Sequence, residues 1–298
     1  MKNKLVYDIR EEHEGKKLSN FLKFEINMST RLYRKLIRGG FIIINGKTAR
    51  SDDILKKGDK LEVILETNET QDIEPEDIPI NVVYEDEDLL VVDKPPFMVV
   101  HPTKSHPSGT LANGVMNYFR KTEQNCIVRL VNRLDRDTSG LVIIAKSQFA
   151  HMAMAQKLER NLIDKYYITI VEGKMEGQGT IDLPIDRPTL DSIKRVVMEN
   201  GQRAITHYEV LKSGERASCL LVKLETGRTH QIRVHLSHLG HPIIGDTLYG
   251  KESEYIKRQA LHAYKLKFRR IRDNREIEIT AEIPDDMREL MSIIEKDK

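Results

Sequence analysis

The chain has 298 residues, of which 32% are charged and 39% hydrophobic, with 2 cysteines and no tryptophan. That length calls for two domains and supplies enough apolar material for at least one core. The longest unbroken apolar run, Leu141 to Ala145, is far too short to cross a bilayer. The opening residues carry no apolar leader core, and two cysteines are too few for a disulfide framework or a structural zinc site. A cytoplasmic protein with no membrane contact is the expectation.

Net charge is only +2, but it is unevenly spread. Residues 1–65 carry 15 Lys or Arg against 9 Asp or Glu, whereas residues 66–90 carry 10 acids and no Lys or Arg. Two basic bodies joined by an acidic stretch fit nucleic-acid binding by each body. A solvated, self-repelling linker would produce the same stretch. The loop composition of Thr67 to Asp72 puts a boundary near residues 66–75. We therefore expect a front domain over 1–68, a linker over 69–80 and a second domain over 81–298.

In the front domain, Leu18, Phe21 and Leu22 form a helical apolar stripe. A second helix begins after Met28, with Ser29 or Thr30 as N-cap, and ends at Gly39-Gly40. Leu32, Leu36 and Ile37 would face inward, with Arg31, Arg34, Lys35 and Arg38 outward. A strand over 41–44, a tight Asn45-Gly46 turn followed by Lys47, and a last strand over 61–65 complete the unit. The run STRLYRKLIRGGFIIINGK, followed by LKKGDKLEV, resembles the alpha-L RNA-binding domain first seen in a ribosomal small-subunit protein. The resemblance implies that Arg31, Arg34, Lys35, Arg38 and Lys47 meet RNA backbone, contacts that position a protein without reading sequence.

Further on, strands are expected at 82–84, 89–92, 141–146, 165–172 and 218–225. Ser147 would cap a helix of about 148–160, and further helices are expected at 229–239 and about 285–295. This irregular order predicts an α+β fold with a mixed, mainly antiparallel sheet. No glycine-rich dinucleotide fingerprint or phosphate-cradling loop occurs. His230, His235, His238 and His241 have partly helical spacing, but Gly240 and Pro242 break the face and no metal site is expected.

Three polar constellations stand out. In the segment Asn132 to Gly140, Asp135 and Asp137 alternate with Arg133 and Arg136, a pattern that charge alone reads as a self-satisfied salt-bridged loop. In the segment Leu224 to His235, Arg233 would lie one helical turn after Thr229. In Lys165-Tyr166-Tyr167, strand alternation sends the phenols to opposite faces.

Together these pieces resemble the RluA-type pseudouridine synthases over roughly residues 75–290. NRLDRDTSGL stands at the aspartate motif, KYYITIVEG at the tyrosine strand and ETGRTHQIRVHLSHLGHPIIGDTLYG at the arginine motif, flanked by DKPPFMVVHP and ALHAYKLKF. The resemblance implies that fold, Asp135 as catalytic carboxylate, Arg233 as its ionic partner and Tyr167 as the aromatic ring packed on the target base. It also implies isomerisation of uridine to pseudouridine in RNA with no cofactor and no metal. Lys94, His101, Asn132, Arg133, Arg228 and His230 are further candidate site neighbours.

Two positions depart from the pattern: Asn132 replaces a frequent histidine, and Phe97 replaces a frequent glycine. By analogy the partner is large-subunit ribosomal RNA, with transfer RNA as the other candidate, acted on by a monomer. The competing expectation is a catalytically idle RNA-binding or ribosome-assembly protein that keeps the fold.

Overall fold

The computed structural model describes residues 3–65 and 70–296. Its first part is a four-stranded antiparallel sheet with two short helical segments. Strand β1 (Lys4–Asp8) is followed by α1 (Leu18–Asn20), which continues as a π-helical turn over Phe21–Glu25. Leu18, Phe21 and Leu22 are buried, as their spacing requires. Helix α2 (Thr30–Arg38) starts where Ser29 Oγ accepts the Leu32 N–H, and stops at Gly39-Gly40. Strands β2 (Ile42–Ile44) and β3 (Lys47–Thr48) flank Asn45-Gly46, both at positive φ, as a primed turn demands. Strand β4 (Lys60–Ile64) completes the order β1-β4-β2-β3. Strand β1 was not expected: with one fully buried side chain, Leu5, it offers hardly any alternation to read. Arg31, Arg34, Lys35, Arg38 and Lys47 are all exposed.

The larger part begins with β5 (Asn81–Glu85), β6 (Leu89–Lys94), α3 (Leu111–Lys121), β7 (Arg129–Leu130) and β8 (Ser139–Ala145). Then come α4 (Gln148–Glu159), β9 (Ile163–Glu172), β10 (Gln178–Asp182) and a small hairpin of β11 (Ile185–Asp186) and β12 (Val196–Val197). Strands β13 (Ile205–Ser213) and β14 (Ala217–Leu224), α5 (Gln231–His238), β15 (Leu261–Arg269), β16 (Glu276–Thr280) and α6 (Asp285–Lys296) finish the chain. Ten strands share one sheet, with the path β10-β13-β14-β9-β15-β8-β6-β5. Among the described residues only β15 and β8 pair in parallel, so the α+β class with a mainly antiparallel sheet holds.

Strand β8 is buried on both faces, which explains its unbroken apolar run. Val142 and Ile144 pack towards α3 with Leu111, Val115 and Phe119. Leu141 and Ile143 pack towards α4 with Ala150 and Met154. Ser147 Oγ caps α4 by accepting the Ala150 N–H. On the other half of the sheet, α5 and α6 bury Ile232, Leu236, Met287 and Leu290 against β9 and β14.

The described part of the acidic stretch is tied to the larger part, although Asp72, Glu74 and Asp77 stay exposed. The expected boundary falls partly on residues 66–69, outside the described residues. Beyond it, Ile73 is buried in the α3 cluster, Asn113 Nδ2 donates to Glu74 O at 2.8 Å, and Asp77 pairs with Lys121 at 2.6 Å. Helix α3, unread in the sequence, supplies these partners. Carboxylates that would repel in a free chain are thus held along its surface.

The front sheet sits directly on the larger part. Phe149 and Met152 of α4, with Ile271, pack into its core. Arg272 joins the two parts through polar contacts: its Nε and Nη2 hold the buried Asp88 at 2.8 and 3.1 Å. Its Nη1 donates to Lys4 O at 2.8 Å and Nη2 to Asn3 Oδ1 at 2.6 Å. Arg272→Ala leaves the Asp88 carboxylate buried and unpaired, so urea unfolding is expected to register a loss of about 3 kcal/mol. Adding Asp88→Asn should recover much of it; no recovery would mean that the pair is not the source.

Candidate active site

The segment Asn132 to Thr138 precedes β8 and lies where the sheet splays. Strand β15 pairs with β8 only at Ser139 and Gly140, then turns away to β16. At that crossing a Cβ on Gly140 would sit 2.3 Å from Ala263 O, with φ at +109°, so glycine is required there. The edge of β8 that β15 abandons needs other partners. Val131 N–H donates to Ile143 O, and the Asn132 carboxamide does the rest: Oδ1 accepts Ile143 N–H at 2.8 Å and Nδ2 donates to Leu141 O at 3.2 Å. Asn132 therefore imitates a strand peptide, a task suited to an amide, and it folds the loop back along β8.

Three more groups pin the loop. Lys94, buried at the end of β6, donates to the carbonyls of Pro95, Met98 and Arg136, each at 2.9 Å. Burial pulls its pKa down to about 7, with Asp137 and Asp135 opposing. Three carbonyl acceptors match the three N–H bonds of an ammonium, so the charged form is the one this pocket satisfies. The buried Arg258 donates to Asp137 O, and Gln259 Nε2 donates to Thr138 Oγ1 at 3.1 Å. Phe97, in the Lys94 loop, keeps a left-handed backbone at φ 63° despite its side chain, the conformation a glycine would favour.

The salt-bridged loop exists only in half. Arg136 grips Asp137 through Nε and Nη2 at 2.7 and 3.0 Å. Asp135 instead reaches across to α5, where Arg233 Nη1 donates to its Oδ2 at 2.8 Å. Arg233 is itself held by Asp246, through Nε at 2.7 Å and Nη2 at 2.8 Å. Asp246 is fully buried and also accepts the N–H groups of Leu248 and Tyr249. Gly245 fixes it in place: a Cβ there would lie 2.2 Å from Arg258 O. Burial alone would weaken the Arg233 cation, but the carboxylates, Asp246 foremost, hold it above the ordinary arginine value.

Helix α5 begins at Gln231, two residues later than the spacing suggests. His230 adopts φ 59° ahead of it, and Gln231 Oε1 accepts Arg228 N–H and Thr226 Oγ1–H. That twist turns the His230 ring inward, with Nε2 3.7 Å from Asp135 Oδ2 and Nδ1 2.8 Å from Tyr249 Oη. Burial lowers the His230 pKa, with the Asp135 charge opposing. Tyr249 Oη also accepts the Arg195 N–H at 2.8 Å, so the phenol links His230 to the backbone at Arg195. The Tyr249 ring also lies 5.1 Å from the Arg233 guanidinium.

Asp135 and Tyr167 line one cleft of about 1150 Å³, with His101, Asn132, Arg133, Arg228 and His230. Lys94 does not line it; it lies beneath the loop. Tyr166 points away and carries the ammoniums of Lys223 and Lys265 over its ring, so the two phenols do part as expected. Burial raises the Tyr167 pKa and the Asp135 charge adds to it, leaving a neutral phenol. A second cleft of about 1050 Å³, at the front-domain junction, shares none of these residues. Among the described residues no group of His, Cys, Asp and Glu side chains is placed to hold a metal ion. His235 is spent on Thr206 and Leu183 O, and His241 on Glu172 O.

A sequence profile described as RNA pseudouridylate synthase matches residues 88–238. The chain belongs to this family. An uncharacterized RNA pseudouridine synthase of Bacillus subtilis, YjbO, is 40% identical over 90% of this chain and 95% of that protein. The ribosomal large subunit pseudouridine synthase D of Xanthomonas campestris is 39% identical over 88% of this chain and 83% of its own length. The solved human RNA pseudouridylate synthase domain containing 1 matches with TM-score 0.58 and 28% identity over 70% of this chain and 84% of that one.

Asp246 and Tyr249 of this synthase were not singled out in the sequence, although both stand in GDTLYG. An acid between two glycines reads as a turn, and only the fold brings it to Arg233. Asp246→Asn is expected to cost about 3 kcal/mol, because it leaves a buried cation short of a counter-charge. Asp135, whose side chain is 31% exposed, should cost less than about 1 kcal/mol on conversion to Asn. Urea unfolding separates them, and equal losses would show that the two carboxylates share one structural role.

Proposed function

We propose that this pseudouridine synthase isomerises specific uridines in large-subunit ribosomal RNA, with Asp135 as the reacting carboxylate, and that its front domain is an alpha-L RNA-binding unit. One observation carries the reading: the Asp135 carboxylate sits in a cleft roomy enough for a nucleotide, against a guanidinium fixed from behind by Asp246. An aspartate that attacks carbon, or assists detachment of the base, must stay ionised where water is scarce. A charge-assisted bond to Arg233 fixes the Asp135 carboxylate in position. Lysine would not make the planar two-sided contact that Arg233 makes with both acids.

The isomerisation breaks the glycosidic carbon–nitrogen bond, turns the base and joins its carbon to the same sugar. No atom is gained or lost, so the chemistry calls for no cofactor. A stacked base is out of reach, and the target nucleotide must be extruded. The Tyr167 ring, in the cleft wall, offers it a stacking surface worth roughly 1–3 kcal/mol. The assignment to ribosomal RNA rests on relatives named ribosomal large subunit pseudouridine synthase D, at 39% identity in Xanthomonas campestris and 35% in Escherichia coli.

The test is to incubate the protein with an unmodified large-subunit ribosomal RNA transcript and map pseudouridine. The wild type should modify discrete sites, and Asp135→Asn should be slower by at least about a thousandfold. Equal modification would remove Asp135 from its role, and modification of transfer RNA alone would reassign the substrate. Converting Arg31, Arg34, Lys35 and Arg38 together to Gln should weaken RNA binding and lower its salt slope by roughly 3. An unchanged slope would leave α2 as plain surface.

A further inference from the structure

Beside the main cleft lies a smaller cavity of about 290 Å³. The β11–β12 hairpin forms one wall, and Gly227, Arg228 and Thr229, shared with the main cleft, form the other. Three arginines line it: Arg187, Arg195 and Arg228. Each is anchored on main-chain carbonyls. Arg187 Nη1 donates to Leu190 O at 3.0 Å, and Arg228 Nε to Arg203 O at 3.0 Å. Arg195 Nη1 meets the carbonyls of Ser192, Ile193 and Lys194 at 3.1, 3.1 and 3.2 Å.

Such bonds orient a cation without cancelling its charge. Among the described residues none of these three arginines makes an ion pair, whereas Arg233, Arg258, Arg270 and Arg272 each do. The one carboxylate at the cavity, Asp186, accepts the Arg187 N–H through Oδ1 at 2.7 Å. Three oriented cations around one small space repel one another, and a polyanion entering it would relieve that repulsion. The position fits. The next residue after the shared wall is His230, whose Nε2 lies 3.7 Å from Asp135. The hairpin is tied to it by the bond from Arg195 N–H to Tyr249 Oη and the hydrogen bond between Tyr249 Oη and His230 Nδ1.

We propose that this cavity binds a phosphodiester of the RNA strand that carries the target nucleotide, with Arg187, Arg195 and Arg228 as its ligands. The proposal rests on the RNA-modifying function above and adds a backbone clamp to it. A phosphate held there sets the register of the strand, while the main cleft receives the base.

The test uses the full-length protein and an unmodified large-subunit ribosomal RNA transcript. Arg187→Gln and Arg195→Gln keep a donor for the loop carbonyls and lose the charge. Each should raise KM about tenfold, well beyond any fall in kcat, and lower the salt slope of binding by roughly 0.7–0.9. Arg187→Lys should restore the slope. Unchanged KM and slope, in a protein whose wild type modifies this RNA, would overturn the clamp and leave the function standing. A fall in kcat with unchanged slope and no rescue by lysine would mean that the arginines only brace the hairpin, and would overturn it too. A wild type that forms no pseudouridine would overturn both.

Discussion

The arrangement depends on one guanidinium shared between two carboxylates. Arg233 spends two N–H groups on Asp246 and one on Asp135. The division is unequal in surroundings as well as in number: Asp246 is fully buried, while Asp135 faces the cleft. The inner pair neutralises the cation and fixes its plane; the outer bond then holds the Asp135 carboxylate in one place. A lone buried arginine would cost too much, and an unfixed one would follow its partner into solvent. Two acids on one arginine satisfy both demands.

A charge held so firmly is useful only if its own backbone does not move. The loop before β8 has no regular structure, yet buried and half-buried side chains hold it at several points. Asn132 replaces the missing strand partner, Lys94 caps three carbonyls, and Arg258 and Gln259 close the far side. Loops that carry chemistry need a rigid frame beneath them. Here the frame consists of the splay between β8 and β15 and of buried side chains placed to fill it.

Cations lie beside the cleft and on the front domain. The arginines of the β11–β12 hairpin lie next to it, and the exposed cations of α2 lie on a sheet that packs against α4 through Phe149 and Met152. An RNA held at both would be located before any base enters the cleft. This division of labour suits an enzyme whose substrate must first be distorted, because binding at remote contacts offsets the cost of extruding a nucleotide.

Much of this was legible in the sequence. Local signals were reliable wherever a short segment suffices to define the element: Ser29 and Ser147 cap their helices, Asn45-Gly46 turns its hairpin, and the five apolar residues of β8 form an interior strand buried on both faces. The aspartate and tyrosine motifs, read through their resemblance to a family, named Asp135 and Tyr167, which line one cleft, and the arginine motif named Arg233, which pairs with Asp135 from α5. Local charge, by contrast, paired Asp135 with its neighbours, because a sequence displays adjacency and not the 98 residues separating it from Arg233. Asp246, the amide role of Asn132 and the buried Lys94 became visible only in three dimensions. Their function is to answer groups left unpaired by the splay of the sheet and by burial of a cation. Those needs arise from tertiary packing, so no window of sequence can show them.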